Sequence, residues 1–140
     1  MIRIIKSNFN QKVVDGLLDG CLLALKEKNI KDENINISEV PGAFEIPFTI
    51  KNILSNDNIS TQAIITLGCV IKGETDHYNF ISQAVTNSIM DLTLTSKTPI
   101  LFGVLTCQSA QLAYDRSGVD MKKNKGYEVG QAAITMAKLI

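Results

Sequence analysis

Short apolar runs alternate with longer amphipathic stretches along the whole chain, and few folds can absorb that pattern. Residues 2–6, 34–40, 62–69 and 99–105 are brief and rich in isoleucine, leucine and valine, as buried strands are. Between them, residues 11–28, 43–54 and 77–95 carry apolar side chains at helical spacing, and 110–115 and 127–139 follow the last run. Strands that alternate with helices of this length form βαβ units, whose crossovers make neighbouring strands parallel and cover both faces of the sheet. The expected class is α/β, a three-layer αβα sandwich around a four-stranded parallel sheet. At 140 residues it is expected to form a single domain, 1–140, with a proper core.

Composition removes several function classes. Fourteen basic and fourteen acidic residues cancel, so neither a nucleic-acid surface nor an anionic membrane is expected as a partner. No apolar run approaches the roughly 20 residues that span a bilayer. The start, Met1-Ile2-Arg3-Ile4-Ile5, reads as a strand rather than a signal peptide. Cys21, Cys69 and Cys107 are odd in number and scattered, which suits reduced, buried thiols and a cytoplasmic location. A single histidine and dispersed cysteines make a zinc site unlike this sequence. No Gly-x-Gly-x-x-Gly follows a strand, and no Walker loop is present. Lys6-Ser7-Asn8 after the first run lacks the acids that a phospho-receiver domain needs for its divalent ion.

In sheets of this kind ligands bind outside the carboxyl ends of the strands, and the less ordinary residues fall there. Most informative is Gly68-Cys69-Val70-Ile71-Lys72-Gly73-Glu74-Thr75-Asp76-His77, between the third strand and a long helix. Free N–H groups and the positive end of the helix dipole make such a turn an anion site. Thr75 or Asp76 can serve as N-cap. The lone His77 lies in the first helical turn, within reach of whatever the turn holds.

Six segments together resemble lumazine synthase, the penultimate enzyme of riboflavin biosynthesis. They are Ser7-Asn8-Phe9-Asn10, Val40-Pro41-Gly42-Ala43-Phe44-Glu45-Ile46-Pro47, the turn ending in His77, Pro99-Ile100-Leu101-Phe102-Gly103-Val104-Leu105-Thr106, Asp115-Arg116-Ser117-Gly118 and Asn124-Lys125-Gly126. They occur in family order and cover nearly the whole chain. The resemblance implies a flavodoxin-like domain that joins 5-amino-6-ribitylaminouracil to 3,4-dihydroxy-2-butanone 4-phosphate. The products are 6,7-dimethyl-8-ribityllumazine, phosphate and water. It implies no metal and no organic cofactor, two small-molecule substrates, and active sites between adjacent subunits; it leaves room for riboflavin synthase as a partner.

The same resemblance distributes roles. His77 would shuttle protons, a task that suits an imidazole near neutral pH. The alternative is a histidine with no task. Gly73, Glu74, Thr75 and Arg116 would bind the phosphate, the arginine through a planar fork. The competing reading of Arg116 is a surface ion pair with Asp115. Glu74 departs from the small residue usual there and adds negative charge. Phe9, Asn10, Gly42, Ala43, Phe44, Glu45, Val70, Ile71, Lys72, Phe102 and Lys125 would hold the pyrimidine. Phe9 would stack on the heterocycle, and Glu45 would meet ribityl hydroxyls unless it caps its helix. Phe102 would come from the adjacent subunit unless it is core. Lys125 and Glu128 would complete the site unless, three residues apart, they form only an exposed ion pair.

Two departures bear on assembly. The chain begins directly on its first strand, without the extra strand-forming segment of many relatives. The stretch Ser117-Gly118-Val119-Asp120-Met121-Lys122-Lys123 lacks the Gly-Thr-Lys-Ala-Gly pattern of shell-forming members. A bare pentamer is expected in preference to a closed shell. A non-catalytic lumazine- or flavin-binding relative is the rival function, but His77, Arg116, Phe9 and Glu45 are all present. A flavin-mononucleotide electron carrier would need a Ser/Thr/Gly-rich loop after the first strand.

Overall fold

The computed structural model describes residues 1–56 and 58–138. Four strands, β1 (Ile2–Ser7), β2 (Ile35–Val40), β3 (Ala63–Ile71) and β4 (Ile100–Cys107), form one parallel sheet in the order β2-β1-β3-β4. Among the described residues five α-helices accompany them: α1 (Gln11–Glu27), α2 (Ile46–Leu54), α3 (His77–Thr95), α4 (Ala110–Asp115) and α5 (Lys125–Ala137). This is the three-layer αβα arrangement expected.

Alternation along the strands separates two cores. Ile2 and Ile4 of β1 point to the face covered by α1 and α5, where Val14, Leu17 and Leu25 meet Ile65, Leu67, Val129 and Ala133. Ile5 points to the other face, against Ile46 and Ile50 of α2 and Val85 and Ile89 of α3. The central strand β3 is buried from Ala63 to Cys69, which is why it reads as a continuous apolar run. The edge strand β2 is mostly half-exposed and alternates instead.

Several boundaries moved. β3 runs to Ile71 and β4 to Cys107, further than residues 69 and 105, because each supplies the other's ladder: Val70 pairs with Thr106 and Ile71 with Cys107. Val70 and Ile71 therefore belong to the strand end rather than the turn. The helix expected from Ala43 opens as a 3₁₀ turn over Ala43–Glu45, and the α-helix starts at Ile46. Pro47 explains it: without an N–H it cannot bond the Ala43 carbonyl, which accepts from the Ile46 N–H instead. The last helix starts at Lys125 and not at residue 127, since the Asn124 side chain accepts from the Tyr127 N–H and caps it. Its expected end at Leu139 lies outside the described residues.

One charged group sits inside the layers. Lys6 is 4% exposed, with its ammonium 3.0 Å from Asp15 of α1 and 3.5 Å from Glu39 of β2. Burial pulls its pKa down, yet the hydrogen bonds and charges of the two carboxylates outweigh that and hold it above the ordinary lysine value. The trio ties the second turn of α1 to the sheet and so fixes where α1 begins.

Candidate active site

The strand order has one reversal. From β1 the chain moves outward to β2, then returns across β1 to β3 and continues to β4. The loops leaving β1 and β3 thus part in opposite directions, and a crevice opens between them at the carboxyl ends. A cleft of about 680 Å³ lies there, on the side of the 3₁₀ turn and α3.

The β1–α1 turn forms one wall. Asn8 and Phe9 donate their N–H groups to the carbonyls of Val40 (2.8 Å) and Pro41 (3.0 Å), binding this turn to the loop after β2. Asn10 takes a left-handed backbone, φ 57°, which asparagine tolerates better than most residues. Its Nδ2 donates to the Cys69 carbonyl at 3.0 Å. The turn is therefore held at both ends while the Phe9 ring stands 70% exposed over the cleft. A core phenylalanine would not be so placed.

The second wall is Pro41 to Glu45. Ala43 is buried as its footing, and Phe44 stands 60% exposed. Glu45 occupies the N-cap position of α2 without a side-chain capping bond. Its two carboxylate oxygens lie 3.8 and 3.9 Å from where a Cβ of Gly42 would stand, beside that glycine on the same wall. The capping alternative is set aside, and the carboxylate joins no ion pair among the described residues.

The floor and rim come from β3 and the turn after it. Cys69, Val70 and Ile71 line the bottom; Gly73, Thr75 and His77 line the rim, with Tyr78 and Ile81 from the first turns of α3. Asp76 is the N-cap residue of α3, but its side chain makes no capping bond; Thr75 Oγ1 accepts from the His77 N–H at 3.3 Å. Among the described residues the N–H groups of Gly73, Glu74, Thr75 and Asp76 have no acceptor. These donors sit at the positive end of a 19-residue helix, which suits an anion. Glu74 and Asp76 are exposed and join no ion pair among the described residues. Burial, followed by the nearby Cys107, pushes the Cys69 thiol up to about 12, so the floor is neutral.

The cleft thus gathers Phe9, Gly42, Ala43, Phe44, Glu45, Val70, Ile71, Gly73, Thr75 and His77. Asn10, Lys72, Glu74, Phe102, Arg116 and Lys125 do not line it. Asn10 works from behind, through the Cys69 carbonyl. Lys72 continues the ladder, donating its N–H to the Cys107 carbonyl at 2.9 Å. Phe102 is half-buried on the outer strand against the α2–α3 core. Tyr78 and Ile81 line the cleft without any signal beyond the helical spacing of residues 77–95 and their place just after the turn.

Arg116 and Lys125 belong to a second structure, on the α1–α5 side. Arg116 ends α4, and its charge is felt at the Cys107 thiol, where it offsets part of the rise caused by burial. It forms no ion pair with Asp115 among the described residues; Asp115 Oδ1 accepts instead from Gln111 Nε2 at 2.8 Å. Lys125 does pair with Glu128, at 3.0 Å, as a three-residue spacing on a helix permits. The Lys125 N–H donates to the Arg116 carbonyl at 2.8 Å, closing the intervening loop into a hook that carries both cations at its base.

No helix among the described residues is long and apolar enough to cross a membrane. The cleft at the switch point of the β2-β1-β3-β4 sheet thus brings together Phe9, Phe44, the turn after β3 and His77. The family model of 6,7-dimethyl-8-ribityllumazine synthase matches residues 1–140, and the chain belongs to that family, transferases of riboflavin biosynthesis.

Proposed function

We propose that the chain, acting as one domain, condenses 5-amino-6-ribitylaminouracil with 3,4-dihydroxy-2-butanone 4-phosphate. The products are 6,7-dimethyl-8-ribityllumazine, phosphate and water. One observation carries this reading: the cleft places an exposed aromatic ring, an unpaired carboxylate, an anion turn and an imidazole around a single space. The pyrimidine stacks on Phe9, over Val70 and Ile71, and its ribityl hydroxyls meet Glu45. Aromatic stacking of this kind adds about 0.5–1.5 kcal/mol to the burial of area. The phosphate is taken by the N–H groups of Gly73 to Asp76 and the Thr75 hydroxyl.

The aromatic amine then attacks the ketone, water and phosphate leave, and a second condensation closes the ring. Such steps need positioning and a proton carrier more than a strong nucleophile. His77, at the first turn of α3 beside the anion turn, stands where protons must move between amine, ketone and leaving group.

Among the described residues no lysine or arginine lines the cleft: Arg116 and Lys125 lie elsewhere in the same chain, as does Phe102. We assign them to the cleft of an adjacent copy, in a pentamer. Phe48 and Phe80, on the helices beside the cleft, are 70% and 72% exposed, and a neighbouring copy would cover them. Three free, buried cysteines suit a reducing cytoplasm. Riboflavin synthase, which would consume the product, is a candidate partner. Incubating both substrates with the protein tests the reading: lumazine fluorescence should rise with stoichiometric phosphate release, undiminished by a chelator. Protein that stays yellow with bound flavin and turns over neither substrate would identify a binding protein instead.

A further inference from the structure

The hook is anchored by one side chain that no part of the chemistry requires. Asn124 is 2% exposed, and every polar atom of its amide is engaged. Nδ2 donates to the Gly16 carbonyl of α1 at 3.1 Å and to the Gly118 carbonyl of the loop at 2.9 Å. Oδ1 accepts from the Tyr127 N–H of α5 at 3.0 Å. The backbone N–H donates to the Asp120 carbonyl at 3.1 Å. One residue thus holds together α1, the loop and α5, across 108 positions of sequence in the case of Gly16.

The fit is closed on all sides. A Cβ at Gly20 would overlap Asn124 Oδ1, and one at Gly16 would overlap the Ser117 carbonyl, so α1 presents bare backbone to the hook. Ser117 is itself buried and donates its hydroxyl to the Ala113 carbonyl at 2.8 Å. Arg116 sits between these fixed points: Ser117 follows it, and Lys125, next to Asn124, holds its carbonyl. Its side chain is exposed and unpaired among the described residues, so only the backbone determines where the guanidinium emerges.

We propose that Asn124 is the positioning residue of the phosphate-binding arginine. It fixes the loop against α1 so that Arg116 projects ready for the phosphorylated substrate, and it does so without touching substrate. The proposal rests on the reading of Arg116 given above. An amide is required, because the position must donate twice and accept once. An aspartate of the same shape would face the Gly16 and Gly118 carbonyls with a charge they repel.

The test is a double-mutant cycle on folded, assembled protein, with both substrates varied. Asn124→Ala should raise the apparent KM for the butanone phosphate about tenfold while kcat changes less than about threefold, since an interaction common to ground and transition states is weakened. The KM for the pyrimidine should rise less than that for the butanone phosphate, through Lys125 alone. With Arg116→Ala already in place, adding Asn124→Ala should change the phosphate KM little, because residues acting through one contact are not additive. Independent, multiplying effects would overturn the proposal, as would a phosphate KM that responds to Arg116→Ala but not to Asn124→Ala. No response to Arg116→Ala itself would overturn the reading of that arginine, and this proposal with it. If Asn124→Ala does not fold, Asn124→Ser keeps an acceptor for Tyr127, shortens the reach to both carbonyls, and carries the same expectation.

Discussion

A Cβ built on Gly73, in the turn after β3, would meet nothing within 4 Å, whereas one on Gly126, at the start of α5, would overlap the Leu17 carbonyl of α1. Neither glycine needs a positive φ. Glycine costs conformational entropy wherever it is fixed, and at Gly126 close packing of α1 on α5 offsets that cost. At Gly73 nothing in the chain does. The seam of α1 and α5 is a packed structure whose glycine serves the fold; the turn after β3 is an open one, with room for the ligand proposed there. Activity and stability should therefore separate between the two regions.

The largest effect is expected where packing is tightest. Gly126→Ala must push α1 and α5 apart, an overpacking cost of about 3 kcal/mol. A fall in melting temperature of roughly 10 °C should follow. An unchanged melting curve would mean that the helices approach less closely than the structure has them.

The open region should respond in rate and not in stability. General acid–base help is typically worth about 10²–10⁴-fold, but an amine and a ketone also combine unaided. His77→Ala is therefore expected at the low end, a loss of roughly ten- to a hundredfold in kcat with an unchanged melting temperature. A full rate would reduce His77 to a bystander. Gly73→Ala should be milder: the same melting temperature, and a phosphate-substrate KM raised a few-fold by a methyl group in the anion's space. Loss of stability there would contradict the open turn.

The smallest effect under ordinary conditions concerns the thiols beneath both regions. Burial pushes Cys21, under α1, up to about 12, and Cys69, under the cleft, to the same level, from an ordinary 9.0. A thiol kept neutral by burial costs stability only once the pH is high enough to ionise its unfolded counterpart, so its contribution is greatest while both forms keep the proton. That contribution is complete below pH 9 and is lost as pH rises from about 9 toward 12. Melting temperatures should be flat from pH 7 to 8.5 and fall beyond 9, less steeply in Cys21→Ala measured against its own neutral value.

The layers of the fold were legible because period alone separates a short strand from a long helix, and strand ends at 69 and 105 fell short only because each ladder extends the other. The turn between β3 and α3 was legible because its signal is local: a strand, a glycine, a helix start. Asn124 was not. It looked like the flank of a Lys-Gly motif, and its partners at Gly16 and Gly118 come together only when α1 and α5 pack. The absence of Arg116 and Lys125 from the cleft was equally invisible, since sequence order does not tell which face of a sheet a loop returns to.

The central claim is that the open turn of one copy works with the packed hook of another. Mixed oligomers of His77→Ala and Arg116→Ala chains test it most directly, assayed at low butanone phosphate, where each variant alone is impaired. Some interfaces then combine an intact turn from one chain with an intact arginine from the other. Activity above that of either parent variant is the result expected; activity equal to the average of the two would mean that each chain carries a complete site of its own.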